Sequence, residues 1–145
     1  MVGSKKRFAL ADSAQQLVGG FLLAGPFVVT EEVWSLAGDM TVLQSLSTVL
    51  IVFLIGYGAL YKADDDRDPD REAEVAGVPT RFVSLMLVSY GSVAILSLSF
   101  GAPGTFLEPT YDAGPSMETV ATTLKAISVG AVFSVVGAAT ADSVF

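Results

Sequence analysis

Four stretches of this chain are each long and apolar enough to cross a lipid bilayer, and that fact limits the fold more than any other. The hydrocarbon layer is about 30 Å thick, and an α-helix crosses it in roughly 20 mostly apolar residues. The stretches cover about residues 10–36, with a charge-free part from Ser13 to Thr30, then 40–61, 82–107 and 119–141, the last interrupted only by Lys125. Hydrophobic residues make up 52% of the 145 residues and the mean hydropathy is +0.60, above the roughly 45–50% apolar content of soluble domains. The expected fold is an all-α membrane protein: a single domain of four transmembrane helices in the lipid bilayer of the cell membrane, crossing it several times.

The first stretch has a competing reading. Lys5-Lys6-Arg7, an apolar segment and then Ser35-Leu36-Ala37 have the shape of a secretory signal with a small-residue cleavage site. Glu31 and Glu32 interrupt that shape, so a retained span is preferred.

Orientation follows from the basic residues near the span ends, which favour the cytoplasmic side. With four spans, Lys5, Lys6, Arg7, Lys62, Arg67, Arg71 and Arg81 share one side, and the loops of the other side hold no Lys or Arg. The expectation is N-in and C-in. The inner loop, residues 62–81, carries Asp64, Asp65, Asp66, Asp68, Asp70, Glu72 and Glu74. Clustered like charge without aromatic residues reads as a solvated connector, and the spaced ligands, central glycine and closing glutamate of a calcium loop are missing.

A net charge of −7 with eight basic residues suits a protein bathed in concentrated salt, where screening removes self-repulsion, and points to a halophilic archaeon as the source. With no cysteine and no histidine, the chain offers no disulfide, thiolate metal site or imidazole base. No metal site or cofactor is expected. Nucleic acid is disfavoured as a partner because no basic patch replaces phosphate counterions. No nucleophile motif or phosphate loop is present, and an enzyme would have to work with carboxylates and Tyr57, Tyr61 and Tyr90, so no enzymatic activity is expected.

Within the fourth span, Thr122, Ala126, Gly130, Ser134 and Ala138 recur every fourth residue, a ridge of small side chains along which two helix backbones can approach closely. Its partner could be a helix of this chain or of a second copy. In the third span, Ser89, Ser92 and Ser99 fall on one face, which should point inward to make interhelical or back-bonded hydrogen bonds.

The first span places Asp12, Gln16, Gly19, Leu23, Pro26 and Thr30 within about 40° of one line at 100° per residue. Lipid does not accept Asp12 and Gln16 at depth, so this face should be buried or line water. Proline removes an amide donor and biases Gly25 away from helix, and a kink at Gly25-Pro26 is expected. Pro26 and Pro103 each precede a glutamate by five residues, Glu31 and Glu108, at the outer end of an odd-numbered span. This is a faint echo of a tandem repeat, which chance also produces.

Glu31 and Glu32 then lie at the outer boundary, with Trp34 as an interfacial anchor. They are either solvated in a short loop or, if the helix continues through Leu36, divided between bundle and headgroups. Lys125 lies roughly 9 Å inside the fourth span at 1.5 Å per residue, where a lone lysine costs about 2.5–3.5 kcal/mol on insertion scales. It either pairs with a carboxylate, Glu32 being favoured over Glu31 and Glu118, or snorkels to the outer surface.

The stretch from Gly20 through Pro26 to Trp34, with glycine and proline followed by Thr30, Glu32 and Trp34 at alternate positions, resembles the first span of a family of uncharacterised integral-membrane proteins known from archaea and bacteria. The resemblance covers about the first quarter of the chain. It implies a membrane fold and singles out Thr30, Glu32 and Trp34, and it supplies no activity.

Two functions fit these residues. One is a homo-oligomeric cation or proton channel or transporter, with Glu31 and Glu32 as an acidic outer site, Lys125 as charge partner or gate, and Asp12 and Gln16 at the inner mouth. The other is a non-enzymatic membrane subunit that docks a partner protein through the small-residue ridge.

Overall fold

The computed structural model describes residues 10–62, 74–75, 78–107 and 117–144. Six helices form: α1 (Leu10–Val28), α2 (Glu31–Asp39), α3 (Val42–Tyr57), α4 (Thr80–Ser99), α5 (Ala102–Phe106) and α6 (Met117–Val144). A π-helical stretch, Gly58–Lys62, prolongs α3. Two short antiparallel strands, β1 (Glu74–Val75) and β2 (Val78–Pro79), pair Glu74 with Pro79 and Val75 with Val78. They lead directly into α4; residues 63–73 of the acidic connector lie outside the described residues.

Three of these helices are long and apolar enough to cross a membrane, and there are four candidates if α1 and α2 count as one broken span. They are sorted by burial. α6 is the centre: 50% of its apolar stretch is buried inside the protein, against 11% for α3 at the periphery. α6 packs against α1, α2, α3 and α4. Its ridge is the reason, because Thr122, Ala126, Gly130, Ser134 and Ala138 are all buried. The ridge meets a second four-residue ridge on α1, formed by Gln16, Gly20, Ala24 and Val28, all buried. Two such ridges interdigitate, the commonest way for helices to pack.

Contact between α1 and α6 is closest at Gly19 and Gly137. A Cβ placed on either glycine would fall inside the backbone carbonyl of the other, so only glycine permits this approach. Phe27 and Phe133 stack alongside with ring centroids 4.0 Å apart. The main apolar core holds Ala24, Val28, Val52, Leu85, Val93, Ala131, Val135 and Ala138.

The first stretch differs from the sequence expectation. It was expected to run through Leu36 with a kink at Gly25-Pro26, yet α1 continues through Pro26 to Val28 and breaks at Val29–Thr30, where α2 departs at 82°. Proline's fixed φ suits a helix, and its lost amide bond weakens only the final turn. The β-branched run Val28-Val29-Thr30 follows, and Thr30 ends the helix by donating both its amide, at 3.2 Å, and its hydroxyl, at 2.9 Å, to the Phe27 carbonyl.

The third stretch also stops early, at Ser99 rather than near 107. Gly101 takes a left-handed backbone with φ of 66°, a conformation glycine adopts without steric cost, and α5 follows with Pro103 in its first turn. α1 and α4 thus each end in a break and a short helix, so the proline echo has a structural counterpart, although Pro26 precedes its break and Pro103 follows it. Glu108 lies outside the described residues.

Candidate functional site

Two groups of polar side chains stand out inside this apolar bundle. The first is a seam where α1, α4 and α6 meet. Gln16 is fully buried, and its Oε1 accepts from the Ser84 hydroxyl at 2.8 Å. Ser84 in turn shares a hydrogen bond with Ser13 at 3.0 Å. One turn further along α1, Gly20 makes room for a buried pair, Ser92 Oγ and Ser134 Oγ, 2.7 Å apart; a Cβ at Gly20 would sit 2.6 Å from Ser134 Oγ and 2.7 Å from Ser92 Oγ. Ser89, also buried, back-bonds to the Leu85 carbonyl at 2.6 Å. Three buried atoms of the seam helices, Gln15 Oε1 and Gln16 Nε2 on α1 and Ser97 Oγ on α4, have no partner. Unpaired buried polar atoms are uncommon, because each carries a desolvation cost of about 1–3 kcal/mol.

A smaller polar cluster joins the peripheral helix to the others. Ser128 Oγ lies 2.7 Å from Thr48 Oγ1 and 3.1 Å from Tyr90 Oη, linking α3, α4 and α6. The start of α3 is fixed by a reciprocal cap: the Thr41 amide donates to Gln44 Oε1 at 2.8 Å, and the Gln44 amide donates to Thr41 Oγ1 at 3.2 Å.

The second group is the elbow formed by α2. Trp34 is 2% exposed, and its indole N–H donates to the Val28 carbonyl at 3.0 Å, one of the acceptors left open where α1 ends. Its ring stacks on Phe106 of α5, centroids 6.2 Å apart, above Ala37, Ala102 and Ala126. The anchor expected at the lipid–water boundary therefore has its ring turned into the protein. Lys125, half-buried, donates from Nζ to the Met40 carbonyl at 2.7 Å, at the C-terminal cap of α2. Among the described residues no carboxylate forms an ion pair with it. Glu31 and Glu32 are both exposed, in the first turn of α2, and Thr30 caps that turn without a side-chain bond to it.

The predicted residues therefore fall into separate places. Gln16 joins the seam, whereas Glu31, Glu32, Thr30 and Lys125 belong to the elbow. Asp12 lies in the first turn of α1, and its side chain is outside the described part of the structure. The predicted face of α1 holds for Gln16 and Gly19 but not for Leu23 and Pro26, which are exposed, because the buried stripe follows the four-residue ridge. On α4, Ser89 and Ser92 face inward as predicted; Ser99 is exposed and Ser97 is buried in its place.

Sequence reasoning passed over Ser13, Ser84, Thr48 and Ser128 as members of clusters, and Gly137 as the partner of Gly19. Gly130 and Gly137 are seven residues apart, two turns on nearly one face, which is the signal that could have found the latter. The Met40 carbonyl carries no sequence signal, since every residue has one.

Chemically, the seam offers neutral groups that both donate and accept hydrogen bonds, and the elbow offers exposed carboxylates. No cluster of three or more metal-ligating side chains exists among the described residues. No curated protein and no solved structure matches the chain. Residues 3–141 match the family described as "Putative integral membrane protein (DUF2391)", and the chain belongs to that family of integral membrane proteins.

Proposed function

We propose that this protein is a non-enzymatic, multi-pass protein of the cell membrane that moves protons or small cations. In this reading α1, α3, α4 and α6 are the four spans, N-in and C-in, and α2 lies across the outer end. The 19 residues of α1 extend about 28 Å at 1.5 Å per residue, which matches the hydrocarbon thickness without α2. The observation that carries the reading is the seam in which half-buried Ser13 and Ser84 adjoin buried Gln16, Ser92 and Ser134, with an unpaired amide nitrogen on Gln16. Polar groups in the interior of a membrane bundle are costly, and they mark pathways when they are not fully satisfied by one another. Glu31 and Glu32, exposed at the outer end, are placed to concentrate cations there.

A homo-oligomer is part of this reading, because α3 turns Val42, Leu43, Leu46, Leu50 and Leu54 outward, each more than half exposed, leaving a long apolar face for lipid or a second copy. The alternative, a subunit that docks a partner protein, loses its first-choice surface. The Thr122–Ala138 ridge is covered by the chain's own α1, α2 and α4, with Gly130 facing Val93 and Val28. Docking would have to use α3 instead.

The test is flux into liposomes containing purified protein at high salt, where an acidic surface is screened. Proton or alkali-cation flux that falls when Glu31→Gln and Glu32→Gln are combined supports transport with an acidic mouth. A folded, reconstituted wild type that moves neither species refutes transport and leaves the docking reading.

A further inference from the structure

The seam is polar at two depths, one turn of α1 apart. At the inner level, Ser13, Ser84 and Gln16 form one hydrogen-bonded cluster. At the deeper level, Ser92 and Ser134 face Gly20. Gln16 and Gly20 are one turn apart on α1, which is about 6 Å along the axis. The Gln16 amide, fully buried, bonds Ser84 through one atom and leaves the other without any partner. One unpaired amide atom remains whichever of the two is nitrogen, since the Ser84 hydroxyl can donate to oxygen or accept from nitrogen. Either way one strong hydrogen-bonding atom is buried at the α1–α4 contact with nothing opposite it.

We propose that the inner half of this seam is a binding site for internal water. One or two molecules there pair with the free amide atom of Gln16 and reach the Ser92–Ser134 hydroxyls, a gap that hydrogen bonds of about 2.8 Å each can bridge. Buried water is the usual partner of a buried polar group that the protein leaves unpaired. The site also has a direction: it is continuous with the half-buried Ser13 and Ser84 at one end, and it stops at the middle of the bundle, where Val93 and Val28 close over Gly130.

On the transport reading above, on which this clause alone rests, the site is the inner half of a proton path, and the closure of Val28 and Val93 over Gly130 has to open for the proton to cross. Each hydroxyl or water passes its own proton to the next oxygen as it receives one from the last, so a proton is delivered without any oxygen changing place. The close contact of Gly19 with Gly137 leaves no room for a hydrated metal ion between α1 and α6 at that level.

The absence of cysteine in this chain makes the test direct. Single Ser92→Cys and Ser84→Cys variants each place one thiol in the seam, and Leu85→Cys places one at a fully buried apolar position of the same helix. In reconstituted protein transferred to D2O, infrared spectroscopy follows the S–H band of each variant. The expected result is rapid loss of the band for Ser84→Cys and Ser92→Cys while Leu85→Cys stays protected. Protection of Ser92→Cys as long as Leu85→Cys overturns the site. A second variant covers any misfolding of these: Gln16→Leu removes the amide at similar volume. If the amide is hydrated, its loss leaves the melting temperature unchanged or lower; if the amide is dry and unpaired, its removal raises the melting temperature, and the proposal fails. Proton flux in the same liposomes separates the two ideas. Flux abolished by Gln16→Leu supports the proton assignment, alkali-cation flux unaffected by it overturns that assignment, and absence of all flux refutes transport while the exchange result still decides the water site.

Discussion

Replacing Gly19 with alanine isolates the contact that holds α1 against α6. Two effects of opposite sign meet at this position. Alanine is the better helix former by about 0.8–1.0 kcal/mol, which favours the variant. Against it, the new methyl would lie inside the Gly137 carbonyl and 2.8 Å from the Cβ of Ala141. The obstruction is backbone and cannot rotate away, so the two helices must separate, and forced overpacking of this kind costs about 1–3 kcal/mol. The net change is therefore between no effect and a loss of about 2 kcal/mol, which alone is a weak test.

Gly91 supplies the reference that sharpens it. It lies mid-way along α4, and a Cβ there meets nothing within 4 Å. Gly91→Ala should carry the propensity gain without the clash, so the difference between the two variants is the clash itself, about 1–3 kcal/mol. In a chain of this size each kcal/mol moves Tm by about 2–4 °C, and thermal unfolding in detergent micelles resolves that. Gly137→Ala should behave like Gly19→Ala. The double variant should lose less than the sum of the two, because helices already pushed apart accept the second methyl at little further cost. If Gly19→Ala melts together with Gly91→Ala at or above wild type, the backbone contact does not hold the bundle and the reasoning fails.

Other substitutions test the remaining contacts. Trp34→Phe keeps an aromatic ring against Phe106 but strips the Val28 carbonyl of its donor; a loss of about 1–3 kcal/mol in the thermal melt is expected, and an unchanged melt would mean that the elbow is not fixed by this bond. Lys125→Met should destabilise by about 1.5–3 kcal/mol through the lost charged hydrogen bond to Met40, whereas a double-mutant cycle with Glu32→Gln should show coupling below about 0.5 kcal/mol, and a larger value would restore a direct Glu32–Lys125 pair. Ser92→Ala alone leaves the buried Ser134 hydroxyl without its partner and should lower the melting temperature more than Ser134→Ala, after which Ser92 still donates to the Ser89 carbonyl at 3.3 Å, while the double variant removes both hydroxyls and should recover most of the Ser92→Ala loss; a double variant as weak as the sum of the singles would show that Ser134 has another partner.

What could be read from the sequence was what repeats along it. The four-residue ridge on α6 is periodic, and all five of its residues are buried in the structure, because burial of small side chains along one stripe is a property of the helix itself, whereas the first and third apolar stretches end earlier than their composition suggests. Inward burial of Ser89, Ser92 and Gln16 was legible for the same reason. The break in the first stretch was misplaced by three residues. Proline is the visible disruptor, but the helix ends where partners exist for its last carbonyls, and those come from Thr30 and Trp34 further on. The role of Lys125 was hidden because its acceptor is a main-chain oxygen on another helix. Likewise, Ser13 and Ser84 are 71 residues apart, and nothing local marks either as the other's partner.

The presence of Glu31, Glu32 and Lys125 around the same elbow nonetheless has one physical explanation, which runs through α2 rather than through a contact. A nine-residue helix is about 14 Å long at 1.5 Å per residue, and its aligned peptide dipoles place roughly half a positive charge at the N-terminus and half a negative charge at the C-terminus. Once α1 breaks and α2 turns by 82°, both ends of α2 stand apart from any continuing helix, and each needs compensation. Glu31 and Glu32 occupy the positive end, and Lys125 reaches the negative end through the Met40 carbonyl, next to Asp39, which adds to the same negative field. The two carboxylates and the lysine are thus held apart by the length of the helix they stabilise. This also explains why the carboxylates remain exposed: a direct pair with Lys125 would neutralise both and leave each end of α2 uncompensated. The carboxylates therefore stay exposed to solvent while Lys125 stays engaged at the other end of α2.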